Sequence, residues 1–240
     1  MSEIPYNLAA IHKRMELACK NANRDTAVVK LLLATKTISA EKIKIALGAG
    51  ETLIGENKVQ ELNEKFDELK KNSHQTHFIG HLQSNKIKEV LKFADCIQTV
   101  DRLSLAEKLQ QRLEFENKTI DIFLQVNTSF EKSKFGMEPQ NALQLALQVS
   151  HLNRLKIKGL MTIGLFSAEE QKVRKCFQLL KKIQRQLLQN QINAEELSME
   201  MSGDLEIAIE EGSTIIRVGT AIFGKRPHPD SYYWNEKISH

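Results

Sequence analysis

Short apolar segments alternate with amphipathic segments along the whole chain. Eight apolar segments have the length and composition of buried strands, and they cover residues 28–34, 52–55, 76–80, 96–100, 120–126, 157–163, 196–201 and 214–218. The segment at 120–126 is too apolar for a sheet with one wet face, and strict alternation of strand and helix favours parallel strands joined by crossover helices. Eight such units are the number found in a TIM barrel, which we favour over a doubly wound sheet.

The segments between these strands have helical spacing with one apolar face. The apolar faces carry Val59, Leu62, Phe66 and Leu69 in one helix, Ala106, Leu109 and Leu113 in a second, and Val173, Phe177, Leu180, Ile183 and Leu187 in a third. An extra helix is predicted over residues 3–21, and we expect it to pack on the outer surface or base of the barrel. The prediction is therefore an α/β fold in which residues 1–240 form a single (β/α)8 TIM-barrel domain with an extra N-terminal helix.

Composition and charge exclude several classes of protein. The 34 Lys and Arg residues exceed the 30 Asp and Glu residues by only four, and both signs are interleaved, which is typical of a solvated surface and not of a nucleic-acid interface. No run of about 18 apolar residues predicts a membrane span, and no basic-then-apolar start predicts a secretory signal, so we expect a cytoplasmic protein. Cys19, Cys96 and Cys176 are widely spaced, and we expect them to be reduced and buried.

The C-terminal ends of the predicted strands are where a barrel of this kind carries its functional residues. Lys36 follows the run Leu31-Leu32-Leu33-Ala34, which places an amine at the rim of an apolar interior. Desolvation there would favour the neutral amine, which is the nucleophile that imine formation with an aldehyde requires. The alternative is that Lys36 only extends to solvent at a strand end.

Two further strand ends resemble the parts of a phosphate site. Ser202 follows the seventh apolar segment at a predicted helix start, and Arg217, Gly219 and Thr220 lie at the end of the eighth. Free backbone N–H groups at a helix start bind phosphate, and barrel phosphate sites are usually built from these two loops. Taken singly, Ser202 could be a helix cap and Gly219 a tight turn. Asn57 could likewise cap a helix, contact a ligand, or do both.

A metal site is not predicted. His77 and His81 are four residues apart, which on a helix would place them on one face, but they bracket the strand residues 78–80 and should not share a site.

Over nearly its whole length the chain resembles the pyridoxal phosphate homeostasis protein family, whose barrel is similar to the N-terminal domain of alanine racemase. The resemblance is carried by Ala34-Thr35-Lys36-Thr37, by residues 55–61 (GENKVQE), 77–86 (HFIGHLQSNK) and 197–202 (LSMEMS), and by residues 212–224, which include Arg217-Val218-Gly219-Thr220. It implies that Lys36 holds pyridoxal 5′-phosphate as an internal aldimine. It also implies that Ser202, Gly219 and Thr220 hold the phosphate, that Arg217 faces the pyridine nitrogen, and that Asn57 lies near the ring.

One residue departs from the family pattern. Glu200 stands where a glycine is usual, and alternation along a strand would place it on the same side as Ser202, close to the phosphate region. A bulge would instead turn it outward.

Three functions are compatible with these residues. The first is a non-catalytic carrier that maintains pyridoxal phosphate homeostasis, acting as a monomer without nucleic-acid or membrane partners, with pyridoxal-phosphate-dependent enzymes as candidate recipients. The second is an amino-acid racemase, which requires a second base opposite the lysine. The chain is expected to end soon after the eighth strand, leaving residues 225–240, whose Tyr232 and Tyr233 are expected to pack on the barrel surface, which disfavours a racemase. A phosphosugar enzyme would use Glu56 but leaves Lys36 without a role.

Overall fold

Eight parallel strands close into a barrel in sequence order, and the last strand pairs with the first. The computed structural model describes residues 2–165, 167–199 and 203–224. The strands are β1 (Lys30–Ala34), β2 (Leu53–Glu56), β3 (Gln75–Phe78), β4 (Cys96–Val100), β5 (Ile120–Gln125), β6 (Leu155–Thr162), β7 (Glu196–Met199) and β8 (Ile215–Val218). The predicted eight-stranded barrel is therefore confirmed.

Helices follow the strands and cover the outside of the barrel. In the described part of the chain they are α1 (Ile4–Asn21), α2 (Ala40–Gly48), α3 (Val59–Leu69), α4 (Ile87–Val90), α5 (Leu103–Glu116), α6 (Ala142–Ser150), α7 (Glu170–Gln189), α8 (Leu205–Glu210) and α9 (Thr220–Phe223). None of these described helices combines the length and apolar character that crossing a membrane would require.

The extra N-terminal helix is confirmed, and it packs on the outer surface between the last and the first helices of the ring. Helix α1 contacts α8, α9 and α2. Its apolar face is buried, while Arg14 on its polar side pairs with Glu206 of α8 at 2.7 Å. The Asn7 side chain donates a hydrogen bond of 3.0 Å to the carbonyl of Ile222. The helix therefore covers the seam where the barrel closes.

The described strand ends differ from prediction by at most two residues. Strand β1 begins at Lys30 and not at residue 28, because residues 26–28 form a 3-10 turn in which the Asp25 carboxylate accepts the N–H of Ala27. Strand β6 begins earlier, at Leu155. Strand β7 is described as far as Met199, and the rest of its predicted range lies outside the described residues. The three cysteines are free and buried, as predicted.

The barrel interior holds an apolar cluster distinct from the larger core between strands and helices. The inner cluster consists of Leu32, Leu53, Cys96, Phe123, Met161 and Ile215. These residues identify the inward-facing side of the six strands that carry them, because side chains alternate along a strand. Three of them are the first residue of their strand, so the cluster lies towards the N-terminal end of the barrel.

The predicted apolar face of α3 is only partly correct. In α3 the side chain of Phe66 is 41% exposed and packs against Phe93, whereas Lys65 is buried. The buried face of α3 therefore includes a charged residue, whose partners lie at the open end of the barrel.

Candidate functional site

Three of the six residues predicted for a site lie on or directly after two neighbouring strands, β1 and β8. On β1 the inward-facing side chains are those of Leu32 and Ala34, and Lys36 lies two residues beyond; on β8 they are those of Ile215 and Arg217, and Gly219 directly follows the strand. Since Leu32 pairs with Arg217 and Leu33 with Val218, the ends of these two strands are neighbours. Lys36 thus lies beside the segment that carries Gly219 at the C-terminal mouth of the barrel.

Lys36 lies in the turn that directly follows β1, and it is half-buried. The next residue, Thr37, has a φ of 64°, in the left-handed region that β-branched residues rarely adopt. The N–H of Ile38 closes the turn by donating to the carbonyl of Thr35 at 3.0 Å. The lysine is therefore presented by a tight turn and not by regular strand.

Asn57 follows β2 on the other side of Lys36, since Ala34 pairs with Gly55. Its side-chain Oδ1 is buried and has no hydrogen-bond partner among the described residues. The predicted capping role is wrong, because α3 begins at Val59 and its N-cap is Lys58. A buried amide oxygen without a partner is costly, and at a barrel mouth it indicates a position where a ligand or water would bind.

Arg217 reaches across the interior from β8. Its Nη1 donates to the hydroxyl of Ser198 at 2.6 Å, and its Nη2 donates to the carbonyl of Thr162 at 2.8 Å. The Thr162 hydroxyl in turn donates to the carbonyl of Val126 at 2.8 Å. The guanidinium is thereby fixed by three neighbouring strands, β6, β7 and β8.

A chain of buried polar side chains continues from Arg217 down the barrel. The Ser198 hydroxyl donates to Oε1 of Gln98 at 2.7 Å, and Nε2 of Gln98 lies 2.7 Å from Nδ1 of His77. Burial lowers the pKa of His77 to about 4, and the charge of Lys30 acts in the same direction. His77 is therefore neutral at physiological pH, and its Nδ1 can accept the proton of the Gln98 amide.

Gly219 and Thr220 lie at the start of the short helix α9, directly after β8. The N–H groups of Ile222 and Phe223 donate to the carbonyl of Gly219, and that of Gly224 donates to the carbonyl of Thr220. The N–H groups of Thr220 and Ala221 precede this first bonded turn, and such groups at a helix start are suited to bind an anion. Ser202 and Glu200 lie outside the described residues.

The long loop after β5 covers one side of the mouth. The ring of Phe135 stacks on that of His81 with centroids 3.8 Å apart, and Nζ of Lys134 donates to the carbonyl of Gly164 at 2.7 Å. Burial lowers the pKa of His81, against the opposing charge of Asp101. His77 and His81 therefore have different partners, and no group of three or more metal-ligating side chains is found in the part of the chain that the structure describes.

Several residues around the site were not predicted from sequence. Gln98 and Ser198 lie within apolar strands, and their only sequence signal is a polar residue at an inward-facing position. Lys65 and Glu61 of α3 lie outside the predicted apolar face of that helix, and no role at the site was predicted for them. Their helical spacing of four predicts an ion pair with each other, but not their contacts with the loop of Lys36.

Comparison with known proteins identifies a family and related structures. Residues 6–227 match the family described as alanine racemase, N-terminal domain. The chain is 39% identical over 223 residues to the pyridoxal phosphate homeostasis protein of Aquifex aeolicus, covering 92% of this chain and 97% of that one. It is 38% identical over 234 residues to the protein of the same name from Haemophilus influenzae, covering 95% and 98%.

Solved structures show the same fold. An unknown protein from Bifidobacterium adolescentis has a TM-score of 0.89 at 39% identity, covering 92% of this chain and 94% of that one. PipY of Synechococcus elongatus, solved with pyridoxal phosphate bound, has a TM-score of 0.81 at 31% identity, covering 92% and 100%. An alanine racemase of Clostridium difficile, at 13% identity and a TM-score of 0.74, shares the fold over 91% of this chain and 61% of its own.

Proposed function

Because the chain belongs to the pyridoxal phosphate homeostasis protein family, we propose that it binds pyridoxal 5′-phosphate at the mouth of its barrel and serves the intracellular homeostasis of this cofactor. The observation that carries the proposal is the position of Lys36 and Arg217. Arg217 occupies an inward-facing position of β8, and Lys36 lies in the turn that directly follows the neighbouring strand β1. An amine and a fixed cation are thus carried by two neighbouring strands of the barrel.

The residues at the mouth fit this cofactor. Pyridoxal phosphate supplies an aldehyde, a pyridine ring and a phosphate. The Lys36 nitrogen would join the aldehyde carbon with release of one water, and the unpartnered oxygen of Asn57 would lie near the ring. Gly219 and Thr220 would hold the phosphate through the start of α9, and Ser202 is predicted from sequence to contribute a hydroxyl.

We propose a carrier and not a committed enzyme. The Arg217 guanidinium keeps its protons at any physiological pH, so it would donate a hydrogen bond to the pyridine nitrogen without transferring a proton to it. An unprotonated ring is a weaker electron sink, so this residue favours holding the cofactor over broad carbanion chemistry. The relatives' name, homeostasis protein, supports the same role. Monomeric action and transfer to enzymes that depend on the cofactor are part of this proposal.

The proposal is tested by trapping the cofactor. The protein is mixed with pyridoxal phosphate, its absorption spectrum is recorded before and after borohydride, and the adduct is located by peptide mapping. We expect one adduct, on Lys36. Lys36→Ala should lose it while changing the free energy of unfolding by less than about 1 kcal/mol. Lys86→Ala is the control for reaction at a surface lysine near the same end of the barrel, and it should retain the adduct. Adducts scattered over many lysines would contradict the assignment.

The racemase alternative has its own test. The loaded protein is incubated with L-alanine in D₂O, and loss of the α-proton signal is followed by NMR. A carrier should give exchange no faster than free pyridoxal phosphate at the same concentration. Exchange well above that background, abolished by Lys36→Ala, would favour an enzyme.

A further inference from the structure

A buried cluster of charged side chains surrounds the turn that presents Lys36. Lys65 of α3 donates from Nζ to the Thr35 carbonyl at 2.9 Å, to Oε1 of Glu56 at 2.6 Å and to Oε2 of Glu61 at 2.8 Å. The Lys65 side chain is only 11% exposed, and that of Glu56 is 1% exposed. This cluster is separate from the polar chain that begins at Arg217.

The three acceptors use all the protons of the Lys65 ammonium group. An amine whose three protons all point to acceptors has no free electron pair directed at a ligand, so it is a poor nucleophile. Although Lys65 lies close to the candidate site, its geometry therefore suits a structural contact and not attachment to an aldehyde.

Both residues that flank Lys36 are held by this cluster. On one side the carbonyl of Thr35 accepts from Lys65, and on the other the N–H of Thr37 donates to Oε2 of Glu61 at 2.6 Å. Glu61 and Lys65 lie four residues apart on α3 and form an ion pair with each other. Helix α3 therefore contacts the backbone of the Lys36 turn at two points. The Thr35 hydroxyl lies within 2.7 Å of Oε1 of Glu56, which ties the same turn to the end of β2.

The turn that contains Lys36 needs these contacts because its backbone is strained at Thr37. Thr37 has a φ of 64°, and a β-branched residue is strained in this conformation. A strained backbone conformation persists only where several surrounding contacts hold it in place, and such positions are common at functional sites.

We infer that Lys65 and Glu61 form a clamp on the Thr35 and Thr37 backbone, and that Lys65 is a positioning residue that fixes the direction in which Lys36 presents its amine. This inference rests on the proposed function, in which Lys36 is the attachment point. A small displacement of a reacting atom has a large effect on rate, so loss of the clamp should slow attachment even when the fold is intact.

The clamp is tested with two pairs of variants. Lys65→Met is compared with Lys70→Met, the same change at a lysine just past the end of α3 whose contact is an exposed ion pair with Asp67. Glu61→Ala is compared with Glu61→Gln, which keeps an oxygen that can accept from Thr37. For each variant the rate of borohydride-trappable adduct formation on Lys36 is measured across pH, below the unfolding temperature. Hydrogen exchange of residues 35–38 is measured without cofactor.

We expect Lys65→Met and Glu61→Ala to lower the rate roughly tenfold or more, to change its pH profile, and to speed exchange at Thr37. Lys70→Met should match the wild type, and Glu61→Gln should recover most of the rate. Wild-type rates in both Lys65→Met and Glu61→Ala would overturn the inference. If the wild type itself forms no adduct on Lys36, the proposed function fails instead, and the clamp is then judged by exchange alone: faster exchange in Glu61→Ala supports it and unchanged exchange refutes it.

Discussion

The guanidinium of Arg217 donates a hydrogen bond of 2.6 Å to the hydroxyl of Ser198, on the neighbouring strand of the barrel. Because the arginine side chain has no acceptor atom, Arg217 must be the donor in this contact. That in turn fixes which group donates and which accepts along the buried series of polar side chains. Ser198 must donate onward to Gln98, and Gln98 must donate onward to His77. The orientation of Arg217 at the mouth is therefore fixed by neutral groups deep in the interior, before any ligand binds.

The first prediction concerns the protonation state of His77. Its Nδ1 accepts from Gln98, so its proton should be on Nε2, and two-dimensional ¹H–¹⁵N NMR of the histidine side chains should show that tautomer at pH 7. Because burial lowers the pKa of folded His77 to about 4 from the ordinary 6.5, the unfolded chain binds more protons between these values. Stability conferred by neutral His77 is thus complete above pH 6.5 and is lost as the pH falls towards 4.

The loss of stability at low pH is measured in the wild type and compared with the loss in a variant at position 77. Between pH 7 and pH 4.5, urea unfolding of the wild type should lose about 2–3 kcal/mol more than His77→Gln, which keeps an acceptor but does not titrate. Other titrating groups are common to both proteins and cancel in the difference. Equal losses would show that His77 is not held neutral.

The second prediction concerns Gln98. Gln98→Leu leaves the Ser198 hydroxyl and the His77 ring without their partner, so it should lower the free energy of unfolding by about 2–3 kcal/mol. It should also weaken pyridoxal phosphate binding, since Arg217 loses its support. Denaturant unfolding and a binding titration check both parts.

Gln125→Leu is the matched control for Gln98→Leu. Gln125 is also buried, but its Oε1 has no hydrogen-bond partner among the described residues, and its Nε2 makes one bond of 3.1 Å to the Phe135 carbonyl. Its replacement should cost about 1 kcal/mol or less. Similar costs for the two variants would mean that the chain adds nothing beyond ordinary burial.

The third prediction concerns the close approach of two mouth loops. A Cβ at Gly80 would lie 2.0 Å from the backbone oxygen of Asn57, so Gly80→Ala must displace one of the loops. We expect a loss of about 1–3 kcal/mol in stability and weaker cofactor binding through movement of Asn57. Thermal unfolding and binding measurements test this.

Gly48→Ala provides the comparison. Gly48 is the last residue of α2, and a Cβ there would meet nothing within 4 Å. The change should be neutral or should stabilise by up to about 1 kcal/mol, because alanine favours the helix. If Gly80→Ala were equally harmless, the contact between Gly80 and Asn57 would not constrain the mouth.

The barrel and the strand-end residues could be predicted because their signals are local. Apolar segments and helical spacing each depend on a few neighbouring residues, and the ends of parallel strands meet at one end of a barrel whatever packs between them. Lys36, Asn57, Arg217, Gly219 and Thr220 were named on that basis, and so was Ser202, which lies outside the described residues. The boundary of β1 was less accurate, since the turn capped by Asp25 depends on one side-chain contact.

Contacts across the barrel were decided by the tertiary structure alone. Ser198 of β7 and Gln98 of β4 are 100 residues apart in sequence. Their side chains meet only because closure of the sheet into a barrel brings them together in its interior. No local pattern predicts that two such polar residues will satisfy each other. The same reason explains why the buried face of α3 was predicted incorrectly, since helical spacing indicated that Phe66 would be a core residue. Lys65 is buried instead, because its hydrogen bonds to the carboxyl groups of Glu56 and Glu61 and to the backbone of the Lys36 turn offset the cost of burying it.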